Sequence, residues 1–259
     1  MFGEGKVAVV TGIGPGMGRS IALGFARGGV DVVLAARRVE RLEAVAEEVR
    51  ALGRDPLVVR TDITDRDACR SLVARAVERF GGVDFLVQNG HHEGDWARVV
   101  DADPDSWRSI FEVNFFGALH LVQAVVPELQ ARGGGSIVLV NSGAALRNPI
   151  SMGAYATSKA ALANLTRTLA LEVGPSQVRV NGVFLGPVDG ENLTRSGSGA
   201  AAASGVSLDE WLEVKATEMP LGFIPTPDQC AGTVLFLCSE LAAPVTGQHI
   251  SVNGGQWIT

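Results

Sequence analysis

The sequence predicts an α/β fold: a doubly wound parallel sheet of about seven strands with helices on both faces. Three observations predict it. Short apolar runs recur without the alternation of a half-exposed strand, as in Val7-Ala-Val-Val10 and Ile137-Val-Leu-Val140; this is the pattern of strands buried on both faces. Amphipathic, charged segments of helical length separate these runs, and repeated strand–helix units imply a parallel sheet. Polar residues able to do chemistry gather where the strands end, the edge at which such sheets hold ligands.

The elements follow in order. Residues 6–11 form the first buried strand. The turn Gly12-Ile-Gly14-Pro-Gly16-Met-Gly18 comes next, then a helical segment to Arg27 and a second apolar strand at 30–36. Strand, glycine turn, helix and strand in this order are the context that a dinucleotide-binding fingerprint requires, so the sheet is expected to be of Rossmann type. The glycines let backbone approach a pyrophosphate, and the helix N-terminus supplies N–H donors and a positive dipole end. Residues 38–52 read as a charged amphipathic helix and 56–60 as a strand, followed by Asp62 and a helix at 65–80. A strand at 83–88 ends at Asn89-Gly90. A long helix is expected over 104–131, with Asp103 as its cap and Pro104 at its first position. A strand at 136–141, a helix at 153–173 and a strand at 178–184 follow. A polar, small-residue segment interrupts the order at 189–206. Helices near 207–217 and 227–239 and a strand at 249–252 complete the chain.

The chain has 259 residues, of which 46% are hydrophobic, enough for one large core. The expected organisation is one dinucleotide-binding and catalytic domain, 1–259, with a substrate lid at about 189–225. Residues 196–205 contain three glycines and no large apolar anchor, so they are expected to form a mobile loop. No run of 18 or more apolar residues is read, so no membrane span is expected. The N-terminus leads straight into a strand, without room for a signal peptide. Cys69, Cys230 and Cys238 are odd in number and lack metal spacing, which points to reduced thiols and a cytoplasmic protein. No metal is expected. The net charge of −6 offers no basic footprint for nucleic acid.

Ser142, Tyr155 and Lys159 form the candidate centre. Tyr155 and Lys159 are four apart on a predicted helix and share a face, so ammonium and phenol can sit side by side. Ser142 ends the apolar strand before them. This grouping suits proton transfer to or from an alcohol. A free tyrosine has a pKa of roughly 10. One positive charge at ~4 Å in an effective dielectric of about 20 favours the phenolate by ~4 kcal/mol. That lowers the pKa by up to roughly 3 units, toward 7, with burial acting in the opposite direction. Asn114 is unusual as plain structure, because asparagine has poor propensity in the middle of a helix; its apolar neighbours point to a buried, partnered amide.

Taken together, these residues resemble the short-chain dehydrogenase/reductase family over essentially the whole chain. The motifs TGIGPGMG at 11–18, Asp62, Asn114, Ser142, Tyr155 and Lys159 occur in family order and spacing. The resemblance implies a tetrad. Tyr155 would be the acid/base, Lys159 would lower its pKa and hold the nicotinamide ribose, Ser142 would position the substrate oxygen, and Asn114 would hold a proton-relaying water. It also implies cofactor contacts by Gly12, Gly14, Gly16, Met17, Gly18, Arg37, Arg38, Asp62, Ile63, Asn89, Gly90, Tyr155, Lys159, Gly186 and Val188. Two departures stand out: His91 replaces a glycine in Gln88-Asn89-Gly90-His91, and Leu185 precedes Gly186-Pro187-Val188. Histidine tolerates positive φ better than most residues. His91, His92, Met152, Leu185 and Trp211 are the expected substrate contacts, with Trp96 as a further cover.

The implied activity is NAD(P)-dependent interconversion of a secondary alcohol and a ketone. The alternatives are a 3-oxoacyl-thioester reductase of the same family and an inactive nucleotide-sensing or scaffold protein, against which the intact tetrad argues. In the family, an acidic residue at the end of the second strand selects NAD. Ala36 occupies that place, followed by Arg37, whose planar fork suits a 2′-phosphate. NADP(H) is therefore favoured, with NAD(H) as the alternative, although Pro15 stands where many NADP-binding members carry a second basic residue. A homotetramer, joined through 104–131, 153–173 and the last strand, is the implied assembly.

Overall fold

The computed structural model describes residues 1–258; Thr259, the last residue of the expected domain, lies outside them. Seven strands form one parallel sheet: β1 Val7–Thr11, β2 Asp31–Ala36, β3 Leu57–Arg60, β4 Phe85–Gln88, β5 Gly135–Ser142, β6 Val178–Leu185 and β7 His249–Val252. Their order is β3-β2-β1-β4-β5-β6-β7. The direction of winding reverses between β1 and β4, which opens a crevice at the C-terminal edge. Along β1, Ala8 and Val10 face one helical layer while Val7 and Val9 face the other, the two-residue period of a strand.

The first layer contains α1 Met17–Arg27, α2 Val39–Ala51 and α10 Pro227–Cys238. The second contains α3 Arg66–Phe80, α5 Gly117–Ala131 and α7 Gly153–Val173. Helix ends are chemically marked. Asp65 accepts from Asp67 N and Ala68 N at the start of α3, and Thr226 and Gln229 form a reciprocal capping box at the start of α10. At the opposite edge of the sheet, buried Asp84 accepts from Lys6, Arg132 and the amide of Val7.

The expected long helix over 104–131 is continuous but not regular. Helix α4 Pro104–Phe111 leads into a π turn, Glu112–Phe116, and then into α5. Such wide turns are concentrated at functional sites. This one carries Asn114, which is fully buried. Gly117 follows because a Cβ there would stand 2.7 Å from Ile63. By length and composition this helix is apolar enough to cross a membrane, a stretch that the sequence reading did not single out. Leu121, Val122, Val125 and Leu129 are buried in the second layer.

The expected loop at 196–205 is instead mostly helical, within α8 Glu191–Ser204, which ends at Gly205 in the left-handed conformation. The run Ala200–Ala203 carries high helix propensity. Gly197 and Ala201 lie one turn apart, and a Cβ on Gly197 would stand 2.7 Å from Trp211 of α9 Leu208–Thr217. Small residues thus form the groove that α9 packs into, so what reads as flexible composition is a packing surface. A short helix, α6 Ala144–Arg147, follows Ser142 and has no counterpart in the sequence reading.

Candidate active site

A cleft of about 1580 Å³ opens over the C-terminal strand edge. Its first wall is the glycine turn. Gly12 has φ +68°, and a Cβ there would stand 2.4 Å from the Gly90 nitrogen. A Cβ on Gly18 would stand 2.5 Å from the Gly12 carbonyl oxygen. Asn89 Nδ2 donates to the Gly12 carbonyl at 2.9 Å, tying the end of β4 to the turn. No side chain caps α1, whose N-terminus points into the cleft beside Gly14, Gly16, Met17 and Gly18. Backbone this close and an uncapped helix start fit a pyrophosphate, which approaches main chain and accepts from N–H donors. The wall therefore fits a nicotinamide dinucleotide.

Beyond the turn, Ala36, Arg37, Arg38, Asp62 and Ile63 line the same cleft. Burial works against the Asp62 carboxylate, but hydrogen bonds from Thr64, with Arg37 and Arg60 nearby, more than offset it and hold the group below its ordinary range. Arg37 and Arg38 form no ion pair among the described residues. Sequence reasoning missed Arg41. Its guanidinium lies 3.5 Å from where a Cβ on Gly14 would stand and 3.3 Å from the Glu191 carboxylate, which puts an ion-paired cation over the glycine turn where Pro15 supplies none. The signal was present: Arg41 is three residues after Arg38, in the first turn of α2.

Ser142, Tyr155 and Lys159 converge on the floor of the cleft. Ser142 ends β5, Tyr155 and Lys159 lie in the first turns of α7, and the Ser142 hydroxyl accepts from the Ala144 amide at 3.2 Å beside them. Lys159 is 2% exposed and donates to the Val140 carbonyl at 3.1 Å. Its ammonium lies 5.7 Å from the centre of the Tyr155 ring. Asn141, also missed from sequence, fixes this arrangement: it donates to the Lys159 carbonyl at 3.0 Å and accepts from the Ser142 amide at 2.8 Å. Asn114 does not line the cleft. It donates to the His92 carbonyl and to Ser158 Oγ, both at 2.9 Å, and accepts from the His92 amide at 2.8 Å. Ser158 in turn donates to the Tyr155 carbonyl at 2.8 Å.

The electrostatic balance reverses the expectation from sequence. Burial pushes the Tyr155 phenol above its ordinary value; the Ser142 hydroxyl only partly opposes it, and the charge of Glu93 adds to the rise. Enclosure between the helix and the strand end disfavours the phenolate, the effect set against the lysine charge in the sequence reading. Burial likewise lowers Lys159 to about 8. At neutral pH the phenol carries its proton.

The remaining predicted residues also reach the cleft. Gly186 donates its amide to the Val252 carbonyl at 3.1 Å, and Leu185 and Val188 line the cleft beside it. His91 does not adopt positive φ, so the chain passes this position without the conformation that the family glycine permits. Desolvation, then the charge of Lys159, holds its imidazole below its ordinary value, an effect limited by the 34% of the side chain that is exposed. His92, Trp96, Met152 and Trp211 line the cleft. Glu93, Asn192 and Arg195 line it too, and no local sequence signal marked them.

Comparison with known proteins bears on this cleft. The family model for short chain dehydrogenases matches residues 6–200. The chain is 34% identical to 7alpha-hydroxysteroid dehydrogenase of Escherichia coli (strain K12), covering 97% of this chain and 94% of the relative. Among solved structures it is similar to L-sorbose reductase from Gluconobacter frateurii complexed with NADPH and L-sorbose. The TM-score is 0.94, the identity 32%, and the match covers 100% of this chain and 99% of that one. It is also similar to NAD+-bound xylitol dehydrogenase, with a TM-score of 0.91, 30% identity, and coverage of 97% and 99%.

Proposed function

The chain belongs to the short-chain dehydrogenase/reductase family, and we propose that it interconverts a secondary alcohol and a ketone with Tyr155 as the acid/base. It is an NAD(P)-dependent oxidoreductase. The observation that carries the finer reading is the convergence of Ser142, Tyr155 and Lys159 at the floor of a cleft whose wall is the glycine turn. A bound nicotinamide dinucleotide supplies or accepts the hydride. The residues of the chain handle the proton and the oxygen. Ser142 holds the substrate oxygen by a hydrogen bond. Tyr155, kept protonated by burial, donates its proton as that oxygen gains negative charge, and takes one back in the reverse direction. Lys159 places a positive charge behind the ring and stabilises the phenolate as it forms. Asn114 is a positioning residue, which holds the His92 backbone and, through Ser158, the turn of α7 that carries Tyr155.

We favour NADP(H) over NAD(H), because Ala36 offers no carboxylate to repel a 2′-phosphate while Arg37, Arg38 and Arg41 line that end of the cleft. A small-molecule alcohol or ketone is the substrate partner. A homotetramer accords with the exposed Phe116 and Leu171 on the helices at 104–131 and 153–173 and with β7 as an open sheet edge; light scattering in solution measures it. The decisive test is Tyr155→Phe, which removes one oxygen. Turnover of a ketone panel should fall by ~10²–10⁴, while the cofactor dissociation constant and the thermal midpoint change little. A folded Phe variant with near-normal turnover would sink the assignment.

A further inference from the structure

One group of cleft side chains plays no part in the proton chemistry above. Glu93 follows His92, whose backbone Asn114 holds. Its carboxylate lies 3.6 Å from Arg195 and 3.9 Å from His91 Nε2. Neither distance is a hydrogen bond, and 30% of the Glu93 side chain is exposed. Asn192 joins the set: its amide nitrogen is 3.4 Å from His91 Nε2, and its oxygen accepts from Arg195 at 3.1 Å. Two elements supply these groups, the segment after β4 and the first turns of α8. All four line the cleft that holds Ser142 and Tyr155, and Asn114 and Ser158 tie the backbone of neighbouring His92 to the Tyr155 carbonyl. The carboxylate therefore opens into the cleft of the reacting oxygen with acceptor capacity to spare.

The charges decide what fits. Glu93 and Arg195 cancel. An anionic substituent would gain Arg195 only by crowding Glu93, and a cationic one would gain Glu93 only by crowding Arg195, since the two lie 3.6 Å apart. An apolar skeleton would strip water from both charged groups and return nothing. A neutral group that both donates and accepts satisfies each partner, and a hydroxyl is that group. We propose that the substrate is a polyhydroxylated ketone, or the alcohol formed from it, whose hydroxyls beside the reacting carbon are read by Glu93, Arg195, Asn192 and His91. The inference rests on the alcohol–ketone reading above and specifies its substrate class.

The test compares kcat/KM for xylulose and fructose with kcat/KM for 2-pentanone and 2-hexanone, which keep the carbon chain and lose the hydroxyls. Wild type should favour the hydroxylated ketones. Glu93→Leu should lower the ratio of hydroxylated to plain ketone by ~10–100-fold, the worth of a hydrogen bond to a charged group. Glu93→Gln, which keeps an acceptor, should recover part of it. Cofactor affinity reports whether each variant is folded. A wild type that prefers the alkanones, or an unchanged ratio in a folded Glu93→Leu variant, overturns this inference and leaves the oxidoreductase reading standing. A folded wild type that binds cofactor but turns over no ketone or alcohol overturns both.

Discussion

On the glycine-turn side of the cleft, backbone lies against backbone. A Cβ on Gly12 or Gly18 would stand within 2.5 Å of a main-chain atom of Gly90 or Gly12. On the side of α8 and α9, Gly190, Gly199 and Gly205 have nothing within 4 Å of such an atom, and Gly197 meets a side chain, that of Trp211, rather than backbone. The difference follows from what each wall meets. At Gly12 and Gly18 the turn is folded against backbone of Gly90 and of Gly12 itself, which leaves no room for a methyl group, whereas Gly14 and Gly16 face open space or a flexible side chain. A substrate wall made of side chains can change its chemistry without moving the backbone. One consequence is that the first wall carries the marks by which the family is read, while the second is where the proposed substrate contacts lie.

The largest expected effect comes from adding one methyl to the tight wall. Gly12→Ala combines a left-handed backbone with a main-chain clash, and should destabilise the protein by about 2–5 kcal/mol. Thermal unfolding and cofactor titration would record a lower midpoint and weaker binding. Wild-type values for both would erase the contrast between the walls.

The next effect sharpens the cofactor side. Arg37→Ala should weaken NADP(H) by roughly 10–100-fold and leave NAD(H) almost unchanged. Dissociation constants for both cofactors in both proteins make the comparison. Equal losses, or tighter NAD(H) binding in wild type, would show that Arg37 does not read a phosphate.

The floor between the walls should respond to pH. With Lys159 lowered to about 8, its ammonium is present below that pH and is lost above it. The phenolate formed when Tyr155 gives up its proton then loses its neighbouring charge. The kcat of ketone reduction should therefore fall as pH rises through about 8, by up to roughly tenfold per unit for a single essential proton. A profile flat to pH 10 would separate Lys159 from the proton step.

The smallest effect is on the open wall. Gly199→Ala lies inside α8 with no atom in its way, so it should raise stability by up to ~1 kcal/mol through helix propensity. Urea unfolding measures it. A destabilised variant would mean that the lid is as closely fitted as the glycine turn.

Local patterns were enough for most of the scaffold. The helix at 153–173 and the strand at 249–252 appear with the boundaries read from sequence, and Asp103 and Pro104 mark the start of α4 as expected. Periodicity, caps and glycine turns are properties of neighbouring residues, so they can be seen along the chain. Tyr155 and Lys159 share a helix face for the same reason. Four features depended on distant parts of the chain. Residues 196–204 combine the local propensity of Ala200–Ala203 with a packing contact from outside, Trp211 against Gly197. Asn114 sits in a π turn, where its amide is committed to His92 and Ser158. The Tyr155 phenol is raised because the fold encloses it, and enclosure disfavours its charged form. Glu93, Asn192 and Arg195 meet across the cleft, although their sequence positions give no hint of it. Burial and electrostatic balance sum over every neighbour in space, and those neighbours are known only once the sheet has brought its strand ends together.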